Sequence, residues 1–155
     1  VAPTTPSGDK TKSTYYGNPE PSVDPCELAM SFGATWVARG FSGDLKGLVD
    51  LMVDGMKHHG FAFLNVMSPC VTWRGDDQFK IMKAKLQSLP EGYDRHSKAA
   101  ALEFMREKEH LTTGVLYETH EPSLLDRLEA QRSKAMQGNE GLTTEKVLKV
   151  FYPPF

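Results

Sequence analysis

The stretch FAFLNVMSPC, residues 61–70, decides how this chain folds. Phe61, Ala62, Phe63, Leu64, Val66 and Met67 make an almost unbroken apolar run, interrupted by Asn65 alone. A strand with one wet face alternates polar and apolar residues. A run without alternation predicts a strand covered on both faces, as inside a parallel sheet. The expectation is therefore a central strand. Ser68, Pro69 and Cys70 follow at its carboxyl end, where open α/β sheets gather ligands. Pro69 has no N–H to give a ladder, so it ends the strand and stiffens the exit that places the Cys70 thiol.

Upstream, Leu45, Leu48, Val49, Met52 and Met56 recur at helical spacing and predict one apolar face, with Lys46, Asp50, Asp54 and Lys57 opposite. Ser42 is the expected cap, with Asp44 in the first turn. Lys57, His58 and His59 complement the dipole at the far end, and Gly60 stops the helix. Adjacent helical positions point about 100° apart, so His58 and His59 need no metal to explain them. Ala34–Ala38 predicts a short strand, followed by a turn at Arg39-Gly40-Phe41. Strand, helix and strand over 34–67 predict a βαβ unit with parallel strands and a right-handed crossover. Before it, Asp24-Pro25 reads as an N-cap followed by proline at N1, opening a short helix that Gly33 ends. Cys26 sits in that first turn. There a thiol pKa can fall, but the favoured reading is a small residue packed against the core.

Residues 1–25 hold five of the ten prolines and show no period. They read either as a disordered tail or as an ordered loop over a site, where Lys10 and Lys12 would meet a phosphate or carboxylate. The chain opens at Val1 on this loop and reads as joined in the middle. Beyond Cys70, helices are expected over Gln78–Leu86 and Ser97–Lys108, the second Ala-rich and on the surface. Thr112–Tyr117 predicts an edge or hairpin strand, weakened by Gly114. A helix follows from Ser123 to about Ala135, with Leu124, Leu125, Leu128 and Ala135 inward. A last short helix is capped by Thr143 or Thr144, and Pro153-Pro154 closes the chain. This divides the sequence at residue 75, with helices and one strand in 76–155.

The bulk numbers exclude more than they select. A chain of 155 residues suits one domain, able to bury about 70% of the surface its unfolded form exposes. With 39% apolar residues, 25% charged and a net charge of −2, no electrostatic reason exists to expect nucleic acid or an anionic membrane. No run approaches the roughly 18 apolar residues of a spanning helix. Two cysteines are too few for a secreted disulfide framework, so a reducing cytoplasm is expected.

No self-contained active site is written here. Gly-x-Gly-x-x-Gly, a Walker loop, Gly-x-Ser-x-Gly, His-Glu-x-x-His and Cys-x-x-Cys are all absent. Asp76-Asp77 and Glu118 to Glu121 have no spacing that separates catalysis from solvation. His96, His110 and His120 read as surface residues. Composition alone leaves Cys70 a buried thiol.

A resemblance adds to this. YYGNPEPSVDPCELAMSFGATWVARGFSGDLKGLVDLMVDGMKHHGFAFLNVMSPCVTWRG resembles the β subunit of the 2-oxoacid:ferredoxin oxidoreductases, particularly the 2-oxoglutarate type. The opening APTTPSGDKTKSTYYGN resembles the loop just downstream of that family's thiamine diphosphate motif, and TGVLYETHEPSLLDRL its C-terminal segment. The resemblance implies an α/β chain: the C-terminal part of a thiamine-diphosphate-binding fold with a parallel sheet core over 1–75, plus a mostly helical extension. It implies CoA-dependent oxidative decarboxylation of a 2-oxoacid, with thiamine diphosphate, Mg²⁺ and a [4Fe–4S] cluster as cofactors. The implied partners are an α subunit and ferredoxin. Cys70 matches the cluster's fourth cysteine, in a Ser-Pro-Cys after a core strand. The Gly-Asp-Gly motif with its later Asn, and the other three cluster cysteines, are not in these residues. The resemblance therefore implies the C-terminal half of a β subunit, inactive alone, with no role carried to Lys10 or Lys12. The competing expectations are a non-catalytic subunit-interface domain with Cys70 a structural thiol, and an independent acyl- or phosphate-binding enzyme using the two lysines.

Overall fold

The computed structural model describes residues 2–138 and 143–151, with Val147 through its backbone only. Pro153-Pro154 lies outside the described residues. The chain forms two compact units, Val1–Glu121 and Pro122–Phe155.

The first unit opens with an irregular segment and then helix α1, Pro25–Ser31. As expected, Asp24 caps it, accepting from Cys26 N–H at 2.7 Å and Glu27 N–H at 3.1 Å. Strand β1 (Trp36–Phe41), helix α2 (Leu45–Lys57) and strand β2 (Ala62–Met67) follow. The two strands pair in parallel, Trp36 opposite Ala62 through Phe41 opposite Met67. The βαβ expectation therefore holds in its strands, its helix and their parallel pairing. Short helices α3 (Val71–Arg74) and α4 (Gln78–Lys85), strand β3 (Gln87–Ser88), helix α5 (Lys98–Glu107) and strand β4 (Thr112–Glu118) complete the unit. The sheet order is β2-β1-β4-β3.

Several expectations need correction. The central strand is β1, whose six residues are all buried, whereas β2 lies at an edge and is only half-buried. The expected turn Arg39-Gly40-Phe41 is the second half of β1. The Arg39 charge is tolerated inside the strand because Asp24 pairs with the guanidinium, which also donates to the His110 carbonyl at 2.6 Å. Gly40 stays in the ladder because α2 packs there: a Cβ would come 2.8 Å from a Leu48 methyl. The sheet is mixed rather than purely parallel, since β4 runs antiparallel to β1 with an irregularity between Val37 and Ala38. Nor is β4 an edge strand over its first residues, because β3 pairs in parallel with Thr112 and Thr113. The sheet thus draws strands from both sides of residue 75.

Helix α2 is turned relative to the expectation. Asp44, not Ser42, is its cap, accepting from Gly47 N–H at 3.1 Å. The stripe Leu45, Val49, Met52 and Met56 is exposed, Met56 at 78%. Leu48 is buried and Leu51 half-buried, and Gly55 meets the Trp36 ring, which an added Cβ would approach to 3.0 Å. Gly55 on the inner face lets the helix lie close to the sheet at Trp36, and that closeness outweighs the larger side chains of the other stripe.

The core unites Cys26, Ala29, Met30, Ala34, Val37, Ala101, Met105 and Leu116. Helix α5 therefore is not a surface helix: Ala101 and Met105 are fully buried. In the second unit, helix α6 (Leu124–Gly138) starts with a reciprocal cap, Asp126 N–H to Ser123 Oγ at 3.2 Å and Ser123 N–H to Asp126 at 2.7 Å. Leu124, Leu125 and Leu128, expected inward, are exposed. Thr143 caps helix α7 (Thr144–Phe151), accepting from Lys146 N–H at 3.4 Å.

Removing Asp24 leaves the Arg39 charge buried and unpaired. Asp24→Ala is expected to lower the unfolding free energy by about 3–5 kcal/mol, read as a fall in the urea midpoint at unchanged slope. Glu27→Ala, which loses only the exposed pair with Arg106, should move that midpoint far less.

Candidate functional site

A cleft of about 1150 Å³ opens beyond the carboxyl end of β2. Its floor carries Asp24, Arg39 and Asn65; Ser68, Pro69 and Cys70 leave the strand along one side; Trp73, Arg74 and Ile81 form a wall. Thr4, Thr5 and Thr11 of the N-terminal segment line it as well. This is the edge where the sequence placed the chemistry.

Of the two readings of the N-terminal segment, the structure shows the ordered loop. Asn18 is 4% exposed, and its amide donates to the Thr5 carbonyl at 2.9 Å and the Glu20 carbonyl at 3.1 Å. Gly8 N–H reaches the Asn18 carbonyl at 2.7 Å, and Val23 N–H the Pro3 carbonyl at 2.8 Å. Two side chains then tie the loop to α3. Asp9 pairs with Arg74, and Lys12 Nζ donates to the Thr72 carbonyl at 3.0 Å. Lys10 is exposed. Lys12 thus meets a backbone oxygen rather than facing an open anion site.

The two cysteines differ in kind. Cys70 is exposed and extended, φ −91° and ψ 103°, immediately before α3. The reading of a buried thiol from composition alone is therefore corrected, and the reason is Pro69, which turns the chain out of the sheet. Cys26 is fully buried, its thiol near the Ala38 carbonyl at 3.9 Å. Burial pushes that thiol up to about 11, against a lowering from the neighbouring Arg39 guanidinium and with a further rise from Asp24. A first-turn position does not produce a thiolate here, because loss of water outweighs the helix N-terminus.

The histidines separate as well. His58 caps α2 and lies 2.8 Å from Thr35 Oγ1 through Nε2; burial lowers its pKa. His96 Nδ1 is 2.9 Å from the Glu118 carbonyl, and His120 is exposed. His110, expected at the surface, is half-buried: Nδ1 is 2.9 Å from an Asp24 oxygen, and its backbone is left-handed at φ 61°. Sequence reasoning missed Arg39 and His110 as cleft residues. One signal existed: an arginine inside an otherwise apolar strand requires a buried acid. Among the described residues, no three His, Cys, Asp or Glu side chains are placed to hold a metal ion together.

The carboxyl-terminal stretch supplies the first comparison. Residues 70–133 match the family described as the C-terminal part of the pyruvate ferredoxin oxidoreductase beta subunit. The relatives found are named as β subunits of the 2-oxoacid:ferredoxin oxidoreductases and as subunits of 2-oxoglutarate synthase. The chain is 29% identical over 151 residues to the 2-oxoacid:ferredoxin oxidoreductase subunit beta of Saccharolobus solfataricus, covering 90% of this chain and 50% of that one. It is 41% identical over 75 residues to the 2-oxoglutarate synthase subunit KorB of Methanocaldococcus jannaschii, 48% of this chain and 28% of the relative. A solved 2-oxoglutarate:ferredoxin oxidoreductase from Magnetococcus marinus, with 2-oxoglutarate, coenzyme A and succinyl-CoA bound, superposes with a TM-score of 0.80 at 31% identity. That alignment covers 98% of this chain and 52% of the other. The chain thus spans about half the length of the relatives it matches along most of its own. The resemblance read from the three sequence stretches is the kinship these comparisons find.

An iron–sulfur cluster takes four thiolates. These residues fit one position: Cys70, exposed at the cleft mouth on a stiffened strand exit. Cys26 does not fit, being enclosed by the core with its proton retained. An aromatic disulfide reagent at neutral pH is expected to titrate one thiol in the folded chain and two in denaturant, with Cys70→Ser removing the fast one.

Proposed function

We propose that this chain is the C-terminal half of the β subunit of an enzyme that oxidatively decarboxylates a 2-oxoacid to its acyl-CoA and passes the electrons to ferredoxin. The observation that carries this is the likeness over 98% of the chain to a solved 2-oxoglutarate:ferredoxin oxidoreductase. 2-Oxoglutarate is the substrate we favour, supported by the relatives named 2-oxoglutarate synthase subunits. The fold assignment follows in the same way. A parallel β1–β2 pair ending at a cleft suits the C-terminal part of a thiamine-diphosphate-binding domain. The expected domain division at residue 75 is kept only as a division of sequence, supported by a family match that begins at residue 70, while the compact unit runs on to Glu121.

In this reading Cys70 is one ligand of a [4Fe–4S] cluster, which when bound supplies one-electron transfer. The chain's own residues place that thiol. Pro69 stiffens the exit, Arg74 N–H bonds the Cys70 carbonyl at 3.1 Å, and the Asp9–Arg74 pair lays the loop against α3. Thiamine diphosphate and Mg²⁺ would take their main ligands outside these 155 residues, and an α subunit, ferredoxin and CoA would be the partners, in a cytoplasmic setting. Among the described residues no helix is long and apolar enough to cross a membrane. A role in contacts between subunits is compatible and has its own support in the exposed stripe Leu45, Val49, Met52 and Met56. The rival view of Cys70 as a packed structural thiol is disfavoured by its exposure.

Within the full-length protein, Cys70→Ser is expected to lower cluster iron, sulfide and visible absorption, and to reduce ferredoxin reduction by at least the roughly tenfold that even an outer-shell change costs a metal site. Cys26→Ser should leave both intact; an unchanged cluster in Cys70→Ser would refute the assignment. Calorimetric titration of these residues alone with thiamine diphosphate and Mg²⁺ should show no micromolar binding.

A further inference from the structure

At the edge of the sheet opposite the cleft, β1 and β2 begin and β4 ends. Thr35 joins all three. Its N–H donates to the Phe61 carbonyl at 2.9 Å, and its carbonyl accepts from Thr119 N–H at 2.8 Å. Its hydroxyl oxygen accepts from Phe61 N–H at 3.0 Å and lies 2.8 Å from His58 Nε2, with the Phe61 carbonyl farther off at 3.4 Å. Gly60, at φ 150°, makes this approach sterically feasible, because a Cβ there would collide with the Thr35 hydroxyl. The His120 ring stacks on His58 with centroids 6.1 Å apart.

We propose that Thr35, His58 and His120 form an acid-opened clasp, which holds the starts of β1 and β2 to the end of β4 at neutral pH and loosens them as the His58 imidazole takes up a proton. With His58 neutral, Nε2 accepts the Thr35 hydroxyl proton while the hydroxyl oxygen accepts from Phe61 N–H, so each group has a partner. Protonation makes Nε2 a donor. The hydroxyl proton must then turn to the Phe61 carbonyl, at a distance near the limit of a hydrogen bond.

The surrounding charges divide, with Glu118 the largest of them and raising the His58 pKa against the burial that lowers it. His120 stacks on the ring and His59 is its chain neighbour, and each lowers the His58 pKa. Glu118 at the end of β4 opposes them, but its carboxylate pairs with Arg95 at 3.5 Å. The His96 ring lies 2.9 Å from the Glu118 carbonyl through Nδ1, and its backbone N–H donates to Asp94. Burial is the leading cause of the lowered His58 pKa. A base with a lowered folded pKa stabilises the closed form fully above its unfolded value of about 6.5. That stability is lost as pH falls through the folded value.

The test is hydrogen exchange at the Phe61 and Thr119 amides between pH 7.5 and 5.0, corrected for intrinsic rates. Protection of both amides should be lost progressively as pH falls over this range. His58→Gln keeps a neutral acceptor for the Thr35 hydroxyl and should hold its protection flat with pH. His120→Ala removes a charge that lowers the His58 pKa and should shift the wild-type transition to higher pH. Flat protection in the wild type, or an unchanged pH dependence in His58→Gln, overturns the proposal. Should His58→Gln fold poorly, the wild-type His58 ring titration read by NMR must coincide with the Phe61 amide transition, and a mismatch overturns it equally.

Discussion

A single buried carboxylate holds the first unit together. One oxygen of Asp24 caps α1; the other pairs with Arg39 in the middle of β1, and the Arg39 guanidinium bonds the His110 carbonyl in the turn before β4. Three distant parts of the chain meet on two charged side chains, 1% and 7% exposed. Drying two charges costs several kcal/mol per ion, so the pair adds little net stability over an apolar replacement. Its effect is one of arrangement. Glu109 and His110 both carry left-handed backbones, an unfavourable conformation that persists only where the surroundings impose it. The guanidinium bond to the His110 carbonyl is one such restraint, and it delivers β4 antiparallel beside β1.

Glycine and size set the second level of organisation. Helix α2 lies on the sheet through Leu48, Leu51 and Gly55, leaving its larger apolar side chains outward. A face of small residues allows close approach and dense packing, while a stripe of Leu, Val and Met outside is the surface a further protein layer would cover. The half-buried β2 edge is of the same kind, a strand apolar enough for an interior and placed at a border.

The cysteines show how position selects chemistry. Cys26 and Cys70 each stand at a helix start, yet only one is available for reaction. Cys26 points into the core, where burial keeps its proton. Cys70 follows a proline out of the sheet to a cleft roofed by the N-terminal loop. That loop holds its shape through Asn18, a short amide able to satisfy several backbone groups at once, in a segment whose composition alone suits disorder equally well.

The βαβ unit was legible because its signals are local: an unalternating apolar run, a helical period, and an Asp-Pro cap each act within a few residues. The family kinship and the place of Cys70 at a strand end were legible for the same reason. Tertiary structure alone decided which strand is central, which face of α2 turns inward, and that Arg39 belongs inside a strand. Periodicity marks an apolar stripe without saying what covers it, and a charge in a strand is acceptable only when a partner from elsewhere arrives to neutralise it. Asp24 lies 15 residues away and the His110 carbonyl 71. No local pattern carries information across such separations; the packed sheet supplies it by bringing those groups within bonding distance.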